Sequence, residues 1–311
     1  MIDDGIPGGV AMISRRYARA NNPGCDDYDP SKPISYIKGL DANNLYGWAM
    51  SQPLPVEGFE WLTPQELDTI VWTAQKDDQP TGYILKVDLD YPPELHDLHN
   101  DYPLAPDRLI VKDEWLSEKQ IDLRVQYKLG RADHSTKLIP NLMNKRGYII
   151  HYRVLKFYLE HGLVLKKVHA GIKFRQSAWL SPYILQNQNK RAEAENDFER
   201  EFFKLMNNSV YGKTVENLKK RTDIKLLQDV QAVQRLVEKP HFMDVRVFSE
   251  DLCAVELRKT QLCINRPFYI GFSVLDLAKL HMYSYVFHYF LYFISDNIHT
   301  LRVFLESVDN F

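Results

Sequence analysis

The chain is poor in cysteine. Its 311 residues hold three, Cys25, Cys253 and Cys263, widely spaced and without a Cys-x-x-Cys pair. That argues against a disulfide framework and a structural zinc site, and fits a reducing intracellular compartment, nucleus or cytoplasm. The opening Met1-Ile2-Asp3-Asp4 lacks the basic start and apolar core of a secretory leader. Long apolar runs are missing too. The aromatic run from Tyr283 to Ile294 is short for a bilayer and contains His288, so it reads as a buried helix or strand, and no membrane is expected as a partner. Internal repeats and low-complexity segments are absent. A formal charge of −2 does not announce a nucleic-acid binder.

What is there begins with unevenly placed charge. From Lys137 to Arg175 the cations Lys137, Lys145, Arg146, Arg153, Lys156, Lys166, Lys167, Lys173 and Arg175 face only Glu160. Such a run is either a phosphate-binding surface or solvated charge. The length can bury a sizeable core over two or three subdomains. Ile34 to Leu40 reads as a strand delivering Asp41 at its end, after a turn at Gly8-Gly9 that feeds a strand from Val10 to Ile13. A short helix with Leu45, Trp48 and Ala49 inward follows, stopped by Pro53 and Pro55. Tyr83 to Tyr91 and Val164 to Phe174 read as strands, Pro92 to Pro106 as a loop. His151 to Leu159 reads as a helix stopped at His161-Gly162, and Leu275 to Met282 as another. Strands and helices without regular βαβ alternation predict an α+β fold.

The segment Lys190 to Tyr211 reads as one long charged helix. At about 100° per residue, Lys190, Arg200, Lys204, Asn208 and Tyr211 fall within roughly a third of the circumference. Ala192, Phe198, Phe202, Met206 and Val210 lie toward the other side, as a packing face. Cations, an amide and a phenol in a row suit a triphosphate followed by a base or sugar. Glu193, Asp197 and Glu201 share that face, so a solvated helix surface fits the same pattern.

Lys204, Asn208, Ser209, Tyr211 and Gly212 fill the pattern Lys-x-x-x-Asn-Ser-x-Tyr-Gly, which resembles the fingers motif (motif B) of family B DNA polymerases, above all the protein-primed branch. Asp41-Ala42-Asn43-Asn44-Leu45-Tyr46-Gly47 resembles motif A, Asp-x-x-Ser-Leu-Tyr-Pro, with Asn44 in place of Ser and Gly47 in place of Pro. The stretches Leu40 to Pro55, Val87 to Pro106 and Phe202 to Leu218 are similar to polymerases of Maverick/Polinton-type transposons and related viruses. The resemblance runs to about Phe287.

The resemblance implies a DNA-directed DNA polymerase using two Mg²⁺ ions, with template-primer DNA and dNTPs as partners and a terminal protein as a possible primer. By motif matching, Asp41 and the Ala42 carbonyl hold metal, and Tyr46 is the steric gate beneath the sugar. Arg200 and Lys204 contact the triphosphate, and Lys190 or Arg191 supplies the outer cation. Asn208 and Tyr211 line the nucleotide. Ser209, Gly212 and Lys213 meet the template, as do Gly8 and Gly9 if they stand for the Tyr-x-Gly-Gly motif, although Ile6 occupies the tyrosine's place. The implied division is a partial palm over residues 1–55, an insertion over 56–150, a palm element over 151–180, fingers over 181–213, and a second insertion with incomplete palm over 214–311.

The third family motif, Asp-Thr-Asp, occurs nowhere in the chain, where Asp296, Glu306 and Asp309 stand as lone acids. A polymerase fragment, from an incomplete or decayed gene, is therefore expected. Two rivals remain: a non-catalytic nucleotide- and DNA-binding module, and a metal-dependent nuclease using Asp88 and Asp90, which share one strand face. His96, Asp97, His99 and Asp101 read either as metal ligands or as caps and turns in a polar loop.

Overall fold

The computed structural model describes residues 1–2, 5, 9–10, 17–37, 42–128 and 136–290, residues 289 and 290 by backbone only. Asp41, Gly8, Ile6, the expected strand at residues 11–13 and the acids Asp296, Glu306 and Asp309 lie outside the described residues. The described residues form two compact units, one drawn from 1–211 and 268–290, the other from 212–267.

In the first unit, α1 (Leu45–Met50) leads into β1 (Leu54–Trp61), α2 (Pro64–Thr69), β2 (Thr81–Asp90) and the one-turn α3 (His96–His99). β3 (Asp107–Ile110), α4 (Glu118–Gln126), β4 (Thr136–Ile139) and β5 (Lys145–His151) follow. Next come α5 (Tyr152–Glu160), β6 (Val164–Ser177), α6 (Ser181–Glu193) and α7 (Asp197–Thr214), which runs on into the second unit. That unit holds β7 (Thr222–Leu227), α8 (Val230–Val237), β8 (Phe242–Ser249) and β9 (Leu252–Arg258) in a sheet ordered β7-β9-β8. The chain returns to the first unit as α9 (Phe268–Ser284), continued by a π-helical turn over Tyr285–Phe290.

The main sheet has the order β1-β6-β2-β5, antiparallel throughout. Ile84, Val87 and Leu89 of β2 are buried, and Ile84 meets Phe174 of β6 and Phe272 of α9 in one cluster. α9 is apolar nearly all round and correspondingly buried from Ile270 to Leu280. Its buried Asp276 pairs with Lys279 at 2.9 Å and accepts the His151 N–H at 2.9 Å, so these charges are neutralised within the core. The α+β expectation holds: an antiparallel sheet with helices packed on it.

Tyr83 to Tyr91, Val164 to Phe174, His151 to Leu159 and Leu275 to Met282 take the secondary structure read from the sequence. Gly162, at φ 91°, ends α5. Other expectations need correction. Lys190 to Tyr211 is two helices: Ala194 turns extended at ψ 130°, and Asn196 caps α7 by accepting the Glu199 N–H at 2.9 Å. In residues 34–37 the expected strand is an isolated bridge from Ser35 to Asn21. The Pro92 to Pro106 loop contains a 3₁₀ turn and α3. Tyr283 and Phe287 are buried, and among the described residues no helix is long and apolar enough to cross a membrane.

The basic run from Lys137 to Arg175 is largely neutralised by distant acids. Lys145 pairs with Asp107, Arg146 and Lys166 with Asp90, and Arg153 and Lys156 with Asp77. Lys173 pairs with Glu60 and Glu66, and Arg175 with Glu57. Counting charge within a sequence window therefore overstates the positive surface.

Candidate functional site

α6 and α7 form an antiparallel hairpin, as the short connection between them requires. Tyr183 donates its hydroxyl to the Met206 carbonyl at 3.1 Å. One turn on, the buried Asn187 amide donates to Asn207 at 2.9 Å. Lys190 then sits 5.8 Å above the Phe203 ring. Lys190 thus reaches α7 across the hairpin and not along a shared helix, with Arg191 beside it on α6.

Asn207 and Tyr211 form the buried face of α7, flanked by Arg200, Lys204 and Asn208. The cations are held by ion pairs one turn back, Arg200 to Asp197 and Lys204 to Glu201, each at 3.2 Å. Both pairs are exposed and hence weak, so a phosphate can displace the carboxylates at little cost. The packing face expected from periodicity is rotated. Ala192, Phe198 and Phe202 are exposed, and only Met206 and Val210 of that group are half-buried.

α1 meets this helix ring on ring. Tyr46 stacks on Tyr211 with centroids 4.3 Å apart and planes 11° from parallel. Two residues on, Trp48 stacks on His281 of α9 at 3.8 Å and 13°. Burial lowers the His281 pKa, which keeps that imidazole neutral against the indole. Asn44, ahead of α1, adopts left-handed backbone at φ 56°, and a Cβ on residue 47 would collide with its amide. The two departures from motif A, Asn44 and Gly47, therefore fit one another.

Residues 25–289 match the family model for DNA polymerase type B, organellar and viral. The chain belongs to the organellar and viral type B DNA polymerases. Its fold is similar to phi29 DNA polymerase in an orthorhombic crystal form, with TM-score 0.42 and 13% identity over 78% of this chain and 34% of that one. It is also similar to phi29 DNA polymerase complexed with primer-template DNA and incoming nucleotide substrates, with TM-score 0.40 and 16% identity over 77% of this chain and 33% of that one. The chain thus spans about a third of the length of these structures. No curated protein matches it.

In this type B polymerase chain, Ala42 is half-buried at the approach to α1. Among the described residues no group of three or more His, Cys, Asp or Glu side chains could hold a metal ion. The described donors therefore do not by themselves fit a divalent cation, whose expected ligand Asp41 lies outside them. Gly9 is half-buried; Ser209 donates its hydroxyl back to the Met206 carbonyl at 3.2 Å. Among the described residues nothing outside α7's own backbone lies within 4 Å of where a Cβ on Gly212 would project, so none of their contacts demands glycine there. Lys213 pairs at 3.3 Å with Glu216, whose carboxyl is held down to about 2 by Arg221, Arg266 and Lys213.

The nuclease acids are otherwise engaged. Asp88 accepts the Gly147 N–H at 2.7 Å and faces His169 at 2.9 Å, which lowers its pKa, and Asp90 is bridged by Arg146 and Lys166. In the His96 to Asp101 stretch, buried His99 bonds the Tyr91 hydroxyl at 2.7 Å. Sequence reasoning missed the α6–α7 clamp and the Trp48–His281 stack. Asn196-x-x-Glu199 is a capping-box spacing that announces the start of α7; nothing local announces Asn187 or His281.

Proposed function

We propose that this chain forms the palm and fingers of a protein-primed DNA-directed DNA polymerase and binds a dNTP between α1 and α7. The observation that carries the reading is the Tyr46–Tyr211 stack, which joins the two motifs on which the family resemblance rests. In this reading Arg200 and Lys204 exchange their carboxylate partners for the triphosphate, with Lys190 or Arg191 as the outer cation. Tyr46 lies beneath the sugar and leaves no room for a 2′-hydroxyl. Tyr211 and Asn208 face the nucleotide base, and Gly8, Gly9, Ser209, Gly212 and Lys213 follow the template strand. Asp41 and the Ala42 carbonyl would hold Mg²⁺, which when bound activates the primer hydroxyl and stabilises the departing pyrophosphate. Template-primer DNA and a terminal protein complete the set of partners. The division into palm over residues 1–55 and 151–180, insertion over 56–150, fingers over 181–213 and second insertion within 214–311 belongs to the same reading.

A second reading, a nucleotide- and DNA-binding module without turnover, is favoured by one observation: the sequence contains no Asp-Thr-Asp. Both readings share the nucleotide site. Lys204→Ala removes a charge-assisted phosphate contact of about 1.5–3 kcal/mol, which weakens dNTP binding roughly tenfold or more. Anisotropy of a fluorescent dNTP measures this. Equal affinity in wild type and variant would sink the assignment.

A further inference from the structure

Over its first turns, ahead of Ser209, the outward face of α7 is apolar and supplies none of the proposed nucleotide or template contacts. Phe198 is 79% exposed, Phe202 45% and Leu205 56%. At about 100° per residue the three fall within roughly 60° of arc, so they form one stripe over two turns. Scattered exposed apolar residues are ordinary; three large ones side by side on one helix face form a patch that marks an interaction surface. The two rings are already stacked on each other, at 6.4 Å and 20°. Behind them α7 is fixed by the buried Asn187–Asn207 bond, so the stripe is presented on a supported helix.

Carboxylates line both edges. On the helical wheel Asp197 and Glu201 flank one side of the stripe and Glu199 the other. This border decides the occupant. Even with Arg200 and Lys204 counted, residues 195–204 carry two more acids than cations, so nucleic acid and anionic membrane surfaces are disfavoured, and helices that lie on membranes carry Lys and Arg at those positions instead. A second copy of the same face would set acid against acid. We propose that Phe198, Phe202 and Leu205 dock an amphipathic segment of a partner protein that presents apolar side chains flanked by Lys or Arg. The exposed Arg200–Asp197 and Lys204–Glu201 pairs are no obstacle, because such pairs contribute little and can share their carboxylates with incoming cations.

The probe is a fluorescein-labelled synthetic Leu–Lys amphipathic helix about four turns long, with a Leu–Glu helix of the same pattern as control. Anisotropy is read at low salt, where exposed charge is least screened. Wild type binds the Leu–Lys helix and not the Leu–Glu helix. Phe198→Ser/Phe202→Ser weakens binding about tenfold or more, as loss of central aromatic anchors does, and leaves dNTP affinity unchanged. Glu201→Lys weakens binding of the same probe and strengthens that of the control. Equal affinity in wild type and the double serine variant overturns the proposal, as does equal binding of the two helices. Sedimentation showing a dimer that the serine variant disperses assigns the face to a second copy, and overturns it as well.

Discussion

Tyr46 lies flat against Tyr211, ring centroids 4.3 Å apart, and so couples the helix in which motif A ends to the helix carrying motif B. A stacked aromatic pair contributes about 0.5–1.5 kcal/mol beyond its buried area, enough to fix where each phenol points. If Tyr46 is the sugar gate, its position depends on Tyr211 as its backing. Tyr46→Val should narrow the preference for dNTP over rNTP in a competition binding assay, and Tyr46→Phe should preserve it. A preference unmoved by Tyr46→Val would make the residue a packing tyrosine.

Asn44 and Gly47 make a second, more local pair. The Asn44 amide occupies the space a side chain on residue 47 would need, and Asn tolerates the left-handed backbone at φ 56° better than Ser does. Gly47→Pro alone should destabilise the chain by about 1–3 kcal/mol through overpacking. Proline in a helix's first turn is otherwise acceptable, so Asn44→Ser/Gly47→Pro should recover the part of the loss that comes from the clash, less the cost of Ser at φ 56°. Urea denaturation of wild type, the two single variants and the double variant tests this, and additive losses in the double variant would show that the two positions are independent.

Motifs were legible because they are local. Asp41 to Gly47 and Lys204 to Gly212 could be read as strings, and the strand at Tyr83 to Tyr91 follows from alternation of buried Leu85, Val87 and Leu89 with the more exposed Lys86, Asp88 and Asp90. β1 was not legible, because Pro55 read as a stop and Gly58 stands within the segment. As an edge strand it tolerates both, with register shifts at Pro55/Glu57 and Glu57/Glu60. The orientation of α7 was misread for a related reason. Phe198 and Phe202 satisfy an apolar period, but a buried Asn187–Asn207 bond, invisible to hydropathy, turns a different face inward. The partners of the basic run were equally hidden, since Asp77 and Asp90 come from other parts of the chain.

Acid should weaken the fold before it titrates most carboxylates. His99 and His151 are 1% and 0% exposed. Burial holds their pKa values down to about 4 and about 3 from the ordinary 6.5, with the charge of His161 adding to the first and that of Arg153 to the second. Burial lowers His161 and His281 as well. As pH falls below 6.5 the unfolded chain takes up protons that the folded chain refuses. Stability therefore drops as pH falls through that window, by up to about 1.4 kcal/mol per pH unit for each such histidine, and is flat above it. Glu66 and Glu216, lowered from 4.5 to about 2, lose their contribution only at lower pH. Denaturation midpoints measured between about pH 7.5 and pH 5 should fall, and His99→Gln should flatten part of the slope. A constant midpoint would mean that these histidines are not held neutral.

Turnover is the property on which the chain itself is expected to fall short. Phosphoryl transfer by two metal ions needs carboxylates that bridge and orient both, and Asp41 is the one such ligand that the matched motifs supply. Without Asp-Thr-Asp, developing charge on the attacking and leaving oxygens goes uncompensated, so template-directed extension should fall by several orders of magnitude relative to a complete enzyme. The proposed nucleotide binding through Arg200 and Lys204 does not share that requirement and should persist. The assay is primer extension with Mg²⁺ and then Mn²⁺, beside an Asp41→Ala control and the dNTP titration. Binding without extension is the expected result. Robust extension that vanishes in the control would show that Asp296, Glu306 or Asp309 supplies the missing ligands, and substituting each in turn would identify which.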